Sequence, residues 1–551
     1  MGLKCEVFNI PRHPTGNSHL NRLDLPGTAI LARPDTHHCF HRPLFIETLH
    51  PMTHLMMHST TGRLFLILIA MMPWLASQTG AEEPQPPNIV LILADDLGYN
   101  ELGCYGQTKI RTPRIDQLAR EGMKFTQHYS GSPVCASSRC VLMTGLHTGH
   151  AFVRGNKEMG GWGPDEPEGQ LPIPDETVTL AERLKKSGYA TGAFGKWGLG
   201  GPGSTGHPCY QGFDRFYGLL CQRVAHNYYP THLWSDHDVD VLGNRYFSAH
   251  QKLAAPLETE GEYYDQYQSE VYAPDRMIEE ALKFVDANQK APFFLYYATP
   301  VPHVSLQVPN DSLKEYEGAF PETPYLGQKA YLPHPTPRAA YAAMITRMDH
   351  HIGQLMDRIE SLGLSENTIF IFTSDNGPTF NGGSDSKFFD SASNLRGLKV
   401  DVFEGGIRVP MIVRWPAKVK SGTTSDHVSS FQDFTPTLLE ITGTAAASET
   451  DGISFLPTLM GQPQPDHEFL YWELGRQQAV RAGDWKLVRK GDAKGNIRTM
   501  LFNLAEDVGE QEDLSEQEPN QLSRMLQLAK QGRTQSPEFP SIYDSKPDSS
   551  P

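Results

Sequence analysis

Short apolar runs alternate with helical patterns from residue 86 onward. The first run, 88–94, is apolar at every position after Asn88, which predicts a strand buried on both faces. The pattern predicts further strands at 189–194, 292–298 and 367–373, and helices at 113–121, 175–187, 276–289 and 336–362. Thr112 and Pro113 mark one helix start, and Gly188 marks one helix end. Strands covered on both sides and separated by helices predict an α/β fold with a large, mostly parallel sheet flanked by helices.

The pattern changes after residue 445. Residues 481–488 and 499–504 have the pattern of short strands, 506–518 are acidic and turn-like, and 519–531 predict a closing helix. We therefore expect a main domain at 86–445 and a smaller C-terminal α+β subdomain at 446–540.

The first 81 residues have the features of a targeting segment. Residues 1–51 lack periodicity, so we expect them to be unstructured or to precede the true start, since Met52, Met56 or Met57 would each give an ordinary signal length. An apolar run at 64–76 follows Arg63, with small residues at 79–81. The run is shorter than the roughly 20 residues that span a bilayer. We expect a signal peptide at 52–81, an exported protein, periplasmic or extracellular, and no stable membrane span.

Charge and cysteine count narrow the possible functions. The formal net charge is −16, which argues against a general nucleic-acid partner and leaves room for local binding of an anion. Five cysteines remain after the signal region, and an odd number in an exported protein leaves at least one thiol unpaired or chemically altered. They are Cys104, Cys135, Cys140, Cys209 and Cys221.

Chemically active residues follow the predicted strands. In a parallel sheet, ligands bind beyond the carboxyl ends of the strands, and Asp95, Asp96, Lys196, His303, Asp375 and Asn376 all lie just after one. The acids and the amide offer only oxygen ligands, which fit Ca²⁺, with Mg²⁺ as the alternative. Either pair alone is typical of a turn. Both pairs after strongly apolar strands favour one shared metal site.

Cys135 and Arg139 lie near the start of a predicted helix, 137–143. Helix N-termini favour anions, and a nearby Arg strengthens that preference. Two other interpretations stay open at this point. The residue can be a buried structural cysteine, or a thiolate nucleophile, which would require a histidine base.

The stretch 135–145, Cys-Ala-Ser-Ser-Arg-Cys-Val-Leu-Met-Thr-Gly, resembles the signature of type I sulfatases, Cys-x-Pro-Ser-Arg-x-x-x-Leu/Met-Thr-Gly. In that family the cysteine is oxidised to formylglycine by a maturation enzyme. The sequence departs from the signature at Ser137, where the family has Pro or Ala. The resemblance continues through 88–96, 195–197, 300–303, 374–378 and 395–410.

The resemblance implies a sulfuric ester hydrolase of the alkaline phosphatase superfamily fold, acting on a sulfated carbohydrate. It implies that hydrated formylglycine at Cys135 is the nucleophile and that Arg139 orients it. Lys196 and Lys399 would bind sulfate oxygens, and His303 would protonate the departing oxygen. Asp95, Asp96, Asp375 and Asn376, with the modified Cys135, would hold the metal.

One departure concerns the release of sulfate. The family's Gly-Lys-Trp-His-Leu-Gly is Gly-Lys-Trp-Gly-Leu-Gly at 195–200, so a histidine is missing at Gly198. We predict that His226, beside Arg223, takes its place, and His147 and His150 are the alternatives.

The substrate and the reaction class leave further alternatives. Residues 222–238 contain Arg223, His226, Tyr228, Tyr229, His232, Trp234 and His237, a mixture suited to sugar rings but also to a packed loop. A phosphodiesterase or phosphonate monoester hydrolase of the same superfold, and a non-catalytic glycan-binding homologue, are the rival functions.

Overall fold

The structure is a computed structural model that describes residues 85–544, except 162, 164, 257, 258 and 448. The predictions for 1–51 and 52–81 lie outside the described residues. Within the described part of the chain, no helix combines the length and the apolar character needed to cross a membrane.

The strands are β1 Asn88–Ala94, β2 Met123–Tyr129, β3 Ala190–Lys196, β4 Arg215–Leu219, β5 His232–Ser235, β6 Asp238–Val241, β7 Phe293–Ala298, β8 Thr368–Ser374, β9 Arg408–Arg414, β10 Thr423–Ser425, β11 Ser429–Ser430, β12 Leu470–Leu474, β13 Gln477–Ala482, β14 Trp485–Gly491 and β15 Ile497–Asn503. The α-helices are α1 Pro113–Glu121, α2 Cys135–Thr144, α3 Leu180–Lys186, α4 Glu260–Tyr267, α5 Ala273–Asn288, α6 Asn310–Leu313, α7 Pro337–Ser361, α8 Glu404–Ile407, α9 Phe434–Ile441, α10 Leu456–Leu459 and α11 Pro519–Gln531. Single 3-10 turns span Gly103–Tyr105, Val224–His226, Lys314–Tyr316, Ser365–Asn367 and Phe431–Asp433.

The large sheet has 11 strands in the order β10-β2-β9-β8-β1-β7-β3-β4-β5-β6, with β11 paired to β2. Its centre, β8-β1-β7-β3-β4, is parallel throughout, and antiparallel pairs flank it on both sides. The predicted α/β fold with a mostly parallel sheet is confirmed. The parallel centre brings the carboxyl ends of four neighbouring strands, β8, β1, β7 and β3, to one edge.

Both faces of the central strands are buried, which explains their continuous apolar sequence. In β1, Val90 and Ile92 contribute to one core cluster together with residues of α1, α5 and α7. Ile89 and Leu91 contribute to the opposite cluster with residues of α2, α3 and α9. Alternate residues of a strand face opposite sides, so one apolar run supplies two cores.

Several element boundaries agree with the sequence, and two do not. Helices α1 and α11 span the predicted residues, and α5, α7 and the central strands differ by three residues or fewer at each end. The helix predicted at 175–187 instead begins at Leu180, because Thr179 and Glu182 form a capping box. The strand predicted at 481–488 is a hairpin, in which β13 ends at Ala482 and Gly483 turns the chain with φ +58°.

The C-terminal sheet has four antiparallel strands in the order β12-β13-β14-β15. Helix α11 packs on one face through Met525 and Leu528. The other face packs against Tyr129, Val402 and Phe403 of the main domain. The smaller C-terminal α+β part of the predicted fold is thereby confirmed.

Candidate active site

The predicted site residues meet at the carboxyl edge of the parallel sheet. Asp95 and Asp96 follow β1, Asp375 and Asn376 follow β8, Lys196 ends β3 and His303 follows β7. All six side chains are almost wholly buried. Cys135, the first residue of α2, faces them, since its Sγ lies 3.3 Å from Asp95 Oδ1 and 3.8 Å from Asp96 Oδ1.

The carboxylates are tied to one another and to three cations. The Asp96 backbone N–H donates to Asp375 Oδ1 at 3.0 Å, and Asn376 Nδ2 donates to Asp96 Oδ1 at 2.8 Å. Lys196 Nζ lies 2.6 Å from Asp95 Oδ2, and Lys399 Nζ lies 2.7 Å from Asp96 Oδ2. The site therefore brings together matched positive and negative groups in a buried pocket.

Arg139 joins α2 to the strand ends. Its Nη2 lies 2.7 Å from Asp375 Oδ2, and its Nη1 donates to the Lys196 carbonyl at 2.5 Å. Because Arg139 lies one helical turn after Cys135, it fixes the start of α2 against the acidic cluster.

The donor set fits a divalent cation. Ligand atoms of Asp95, Asp96, Cys135 and Asp375 lie within 4.8 Å of one another, and Asn376 Oδ1 is buried without a hydrogen-bond partner among the described residues. Burial, with a contribution from Asp95, raises the pKa of Asp375 to about 7. Crowded buried carboxylates and an orphaned amide oxygen are what a hard cation would satisfy.

The start of α2 is held by groups around Cys135. Asn156 Oδ1 accepts the Ala136 N–H at 2.9 Å, which satisfies one free donor of the first turn. Ser137, the departure from the sulfatase signature, is buried and donates to Ser132 Oγ at 2.7 Å. Ser137 therefore fits the helix start without an unpaired polar group.

The surroundings of the Cys135 thiol disfavour a thiolate. Burial, and next the charge of Asp95, raise its pKa well above the ordinary value. The hydrogen-bond partners of its Sγ are two carboxylates. A ring nitrogen of His303 lies within 4.8 Å of Sγ, but these two described residues form no hydrogen bond of the kind that joins a thiol nucleophile to its base. All five described cysteines are free thiols, consistent with the prediction of at least one unpaired thiol.

His303 lies beside the acidic cluster on a well-supported loop. Its Nε2 lies 3.6 Å from Asp96 Oδ2, and its Nδ1 bonds to the Val304 carbonyl. Tyr228 Oη lies 2.6 Å from the carbonyl oxygens of Pro300 and His303. Burial, and next Lys399, lower the pKa of His303 to about 4, although the Asp96 carboxylate beside the ring opposes this shift.

His226 stacks on His303, with ring centroids 4.9 Å apart and planes 4° from parallel. Its Nδ1 lies 3.1 Å from His250 Nε2, and no described residue is hydrogen-bonded to its Nε2. Tyr331 contacts both imidazoles, at 5.1 Å and 5.8 Å between centroids. His226, the predicted replacement base, is thus in contact with His303, the residue expected to protonate the departing oxygen.

Gly198 leaves space that Gln222 fills. A Cβ at Gly198 would lie 2.7 Å from Gln222 Nε2, and the backbone there has φ +85°. Both polar atoms of the buried Gln222 side chain lack a hydrogen-bond partner among the described residues. An unsatisfied amide therefore stands where a side chain at position 198 would project.

The other two histidine candidates lie elsewhere. His147 and His150 follow the end of α2 that is opposite Cys135, and both contact Asp451. An α-helix of this length separates its ends by about 15 Å. The interpretation of His147 or His150 as the replacement base is therefore wrong on geometry.

A cavity of about 610 Å³ lies next to the stacked pair of His226 and His303. Arg223, His232 and Trp234 line it, together with His250. Tyr228 and Tyr229 are instead buried in the core, and His237 stacks on His207 at 4.4 Å. Residues 222–238 therefore divide between a packed part and a cavity wall.

Four residues close to the site were not predicted. Tyr331, His250 and Asn156 reach it from loops whose paths the sequence pattern does not predict. Gln222 lay beside the predicted Arg223, and the departure at Gly198 was the signal that could have identified it.

Comparison with known proteins supports these observations. A sulfatase family model matches residues 87–444, and a model for the N-sulphoglucosamine sulphohydrolase C-terminal region matches 399–533. N-acetylgalactosamine-6-sulfatase of Canis lupus familiaris is 31% identical over 451 residues, covering 78% of this chain and 75% of its own. Arylsulfatase A of Homo sapiens is 32% identical over 501 residues, covering 83% and 89%.

A solved structure has the same fold. Ps i-CgsB in complex with k-i-k-neocarrahexaose has a TM-score of 0.65 at 26% sequence identity, and the match covers 81% of this chain and 92% of that one.

Proposed function

The chain belongs to the type I sulfatase family, and we propose that it hydrolyses the sulfate ester of a sulfated carbohydrate through a formylglycine made from Cys135. The observation that carries this proposal is the position of Cys135 at the start of α2, facing three buried carboxylates and three cations. Such a site suits a bound metal ion and a sulfate group side by side. Relatives named for sulfated sugars support the substrate class.

Asp95, Asp96, Asp375 and Asn376, with the modified Cys135, are proposed to hold Ca²⁺, with Mg²⁺ as the alternative. The orphaned Asn376 Oδ1 supports an oxygen-rich ligand set. A divalent cation there would supply Lewis-acid polarisation of a sulfate oxygen. Lys196 and Lys399, which pair with Asp95 and Asp96, would then be available to sulfate oxygens.

The proposed reaction has two steps. One hydroxyl group of the hydrated formylglycine gives its proton to a carboxylate that faces Cys135, its oxygen attacks sulfur, and the bond between sulfur and the sugar oxygen breaks. His303 gives its proton to that departing oxygen, and a sulfate anion beside His303 favours its protonated form. Arg139 orients the diol, and Lys196 and Lys399 hold the sulfate oxygens.

In the second step the remaining hydroxyl loses its proton and its oxygen forms the aldehyde double bond. The bond between that carbon and the sulfate oxygen breaks, and sulfate leaves with the electron pair. Water then hydrates the aldehyde again. We assign the removal of the proton to His226, because Gly198 has no side chain and the His226 ring stacks on His303 beside the site. Burial, and next the charge of His303, lower the pKa of His226 well below its ordinary value, so its ring is neutral before this step. A neutral imidazole can accept a proton.

Conversion of Cys135 requires a formylglycine-generating maturation enzyme as a partner. The apolar run at 64–76 supports export to the periplasm or the extracellular space.

The reaction class is tested by comparing turnover of p-nitrophenyl sulfate with that of the corresponding phosphate monoester and diester. We expect the sulfate to be the best substrate, with activity lost on chelation and regained with Ca²⁺ or Mg²⁺. Cys135→Ala should abolish turnover, whereas Cys140→Ala, a buried core thiol five residues later, should keep it. Preference for a phosphate ester, or activity in Cys135→Ala, would contradict the proposal.

A further inference from the structure

The cavity beside His250 has features that the removal of one sulfate group does not use. His250 lines it and is linked to the reaction centre through His226 and His303, with ring centroids 5.2 Å and 4.9 Å apart. The cavity wall therefore lies two ring contacts away from the reaction centre.

The walls of the cavity suit a sugar ring. Trp234, Tyr246 and Phe247 provide aromatic surface, and Asn227 and Thr231 provide polar groups. An aromatic face with a few polar groups is typical of sites that bind small amphipathic ligands. Trp234 is held in place, since its Nε1 donates to Glu168 Oε2 at 3.2 Å.

Arg223 is the unusual member of this wall. It is partly buried, yet its guanidinium donates no hydrogen bond and forms no ion pair with any residue that the structure describes. Arg215, which is also partly buried, is instead paired with Asp236 and Glu280. An Arg in a partly desolvated wall without a counter-ion is ready to bind two oxygens of an oxyanion in a bidentate manner.

The acidic residues of the cavity do not neutralise Arg223. Glu168 is engaged by His232, at 2.6 Å, and by Trp234. Glu166 also lines the cavity but is exposed to solvent, where water and salt screen its charge. Burial, and next the charge of Arg223, lower the pKa of His250 to about 4. The positive charge of Arg223 therefore makes the electrostatic potential inside the cavity more positive.

We propose that this cavity is a subsite for the sugar next to the sulfated one, and that Arg223 binds a second anionic group of the substrate there. The group is an oxyanion, either a uronate carboxylate or a further sulfate. This inference rests on the proposed sulfatase function and deepens it, since the substrate is then at least a disaccharide with two negative charges.

The test compares kcat/KM for disaccharides that carry the same scissile sulfate but differ in the neighbouring sugar, which is neutral, a uronate or sulfated. The wild-type enzyme should prefer one anionic disaccharide over the neutral one. Arg223→Met should reduce that preference by about 10- to 100-fold, the effect of losing a charge-assisted pair. Arg223→Lys keeps the positive charge but loses the two parallel N–H donors of the guanidinium, so its preference for the anionic disaccharide should lie between those of the wild type and Arg223→Met. Arg183→Met, on α3 and paired with Glu449, is the matched control and should keep the preference.

Comparison of the uronate-containing disaccharide with the doubly sulfated one identifies which oxyanion Arg223 binds. A wild-type enzyme without preference for either anionic disaccharide, or an Arg223→Met variant with the wild-type preference, would overturn the inference. Failure of the proposed function has a different signature, namely no hydrolysis of p-nitrophenyl sulfate or of any of the three disaccharides by the wild-type enzyme.

Discussion

One residue of the carboxylate and lysine cluster, and one next to Lys399, have an unusual backbone conformation. Asp96 has φ +67° and Val400 has φ +76°, and a β-branched residue rarely adopts this left-handed region. The Val400 N–H donates to the Pro133 carbonyl at 2.8 Å, and its carbonyl accepts from Gln477. Such strain, about 1–3 kcal/mol, persists only where the surroundings impose it. Here the surrounding bonds fix the loop that carries Lys399.

Restoring the histidine at position 198 should not help the enzyme. The backbone of Gly198 has φ +85°, and a Cβ there would meet Gln222. We expect Gly198→His to destabilise the protein by about 1–2 kcal/mol and to lower kcat. Denaturant unfolding and turnover of p-nitrophenyl sulfate check this. A higher kcat in a variant as stable as the wild type would contradict this prediction, because it would show that Gln222 moves to make room for the histidine.

Replacing His226 should affect catalysis more than replacing His147. Because His226 stacks on His303, His226→Ala should lower kcat by about 10²- to 10⁴-fold, the range for a general acid or base. His147 is also buried but contacts Asp451 at the opposite end of α2, so His147→Ala should keep most of the turnover. The reverse ranking of the two variants would make the assignment of His226 wrong.

At the residue scale, the sequence could predict those site residues that immediately follow a strand or belong to the sulfatase-like signature at 135–145. Asp95 and Asp375 meet as expected, because parallel strand ends share one edge, and Cys135 faces them as the motif resemblance implied. Tyr331 and His250 reach the same place from loops, and no periodicity indicates where a loop travels.

Strand β2 contains a buried histidine that should make stability depend on pH. His128 bonds Ser429 through Nδ1 at 2.9 Å, and burial, with a contribution from His427, lowers its pKa to about 3. An unfolded chain takes up this proton near pH 6.5. As the pH falls from 6.5 towards 3, the unfolded state alone binds the proton, and stability falls.

Comparison of wild type with His128→Asn isolates this contribution. Between pH 7 and pH 5 the wild type should lose about 2 kcal/mol more than the variant in free energy of unfolding. Urea titrations at both pH values measure it. Equal losses in the two proteins would exclude His128 as a cause of acid sensitivity.

At the element scale, helices with strong end signals were predicted best. Pro113 and Pro519 at the first helical positions mark the starts of α1 and α11. The start of α3 was placed too early, because the capping box of Thr179 and Glu182 was not recognised. The hairpin of β13 and β14 was missed because Gly483-Asp484 interrupts a run whose flanks are both strand-like.

Across the whole molecule, a buried ion cluster joins the C-terminal sheet to the main domain. Lys486 of β14 lies 2.8 Å from Glu404 and 2.9 Å from Glu510, and all three side chains are fully buried. Burial, opposed by Lys486, still raises the pKa of Glu510 to about 7. The distances in sequence between these partners explain why no local pattern predicted the cluster.

Removing this lysine should cost much more than removing a surface one. Lys486→Met leaves two buried carboxylates facing each other and should lower the free energy of unfolding by about 3–5 kcal/mol. Lys490→Met breaks a partly exposed pair with Asp401 and should cost at most about 1 kcal/mol. Denaturant unfolding of both variants gives the comparison. Similar small decreases in the free energy of unfolding would show that the buried cluster does not stabilise the contact between the C-terminal sheet and the main domain.

The central claim concerns the chemical state of Cys135. Its buried thiol, with carboxylates as hydrogen-bond partners and a raised pKa, is unsuited to act as a thiolate, so the account requires its conversion. Mass spectrometry of the peptide containing Cys135, from catalytically active protein made in a host with the maturation enzyme, tests this directly. We predict a loss of about 18 Da, the change from cysteine to formylglycine. An unmodified cysteine in fully active enzyme would contradict the account.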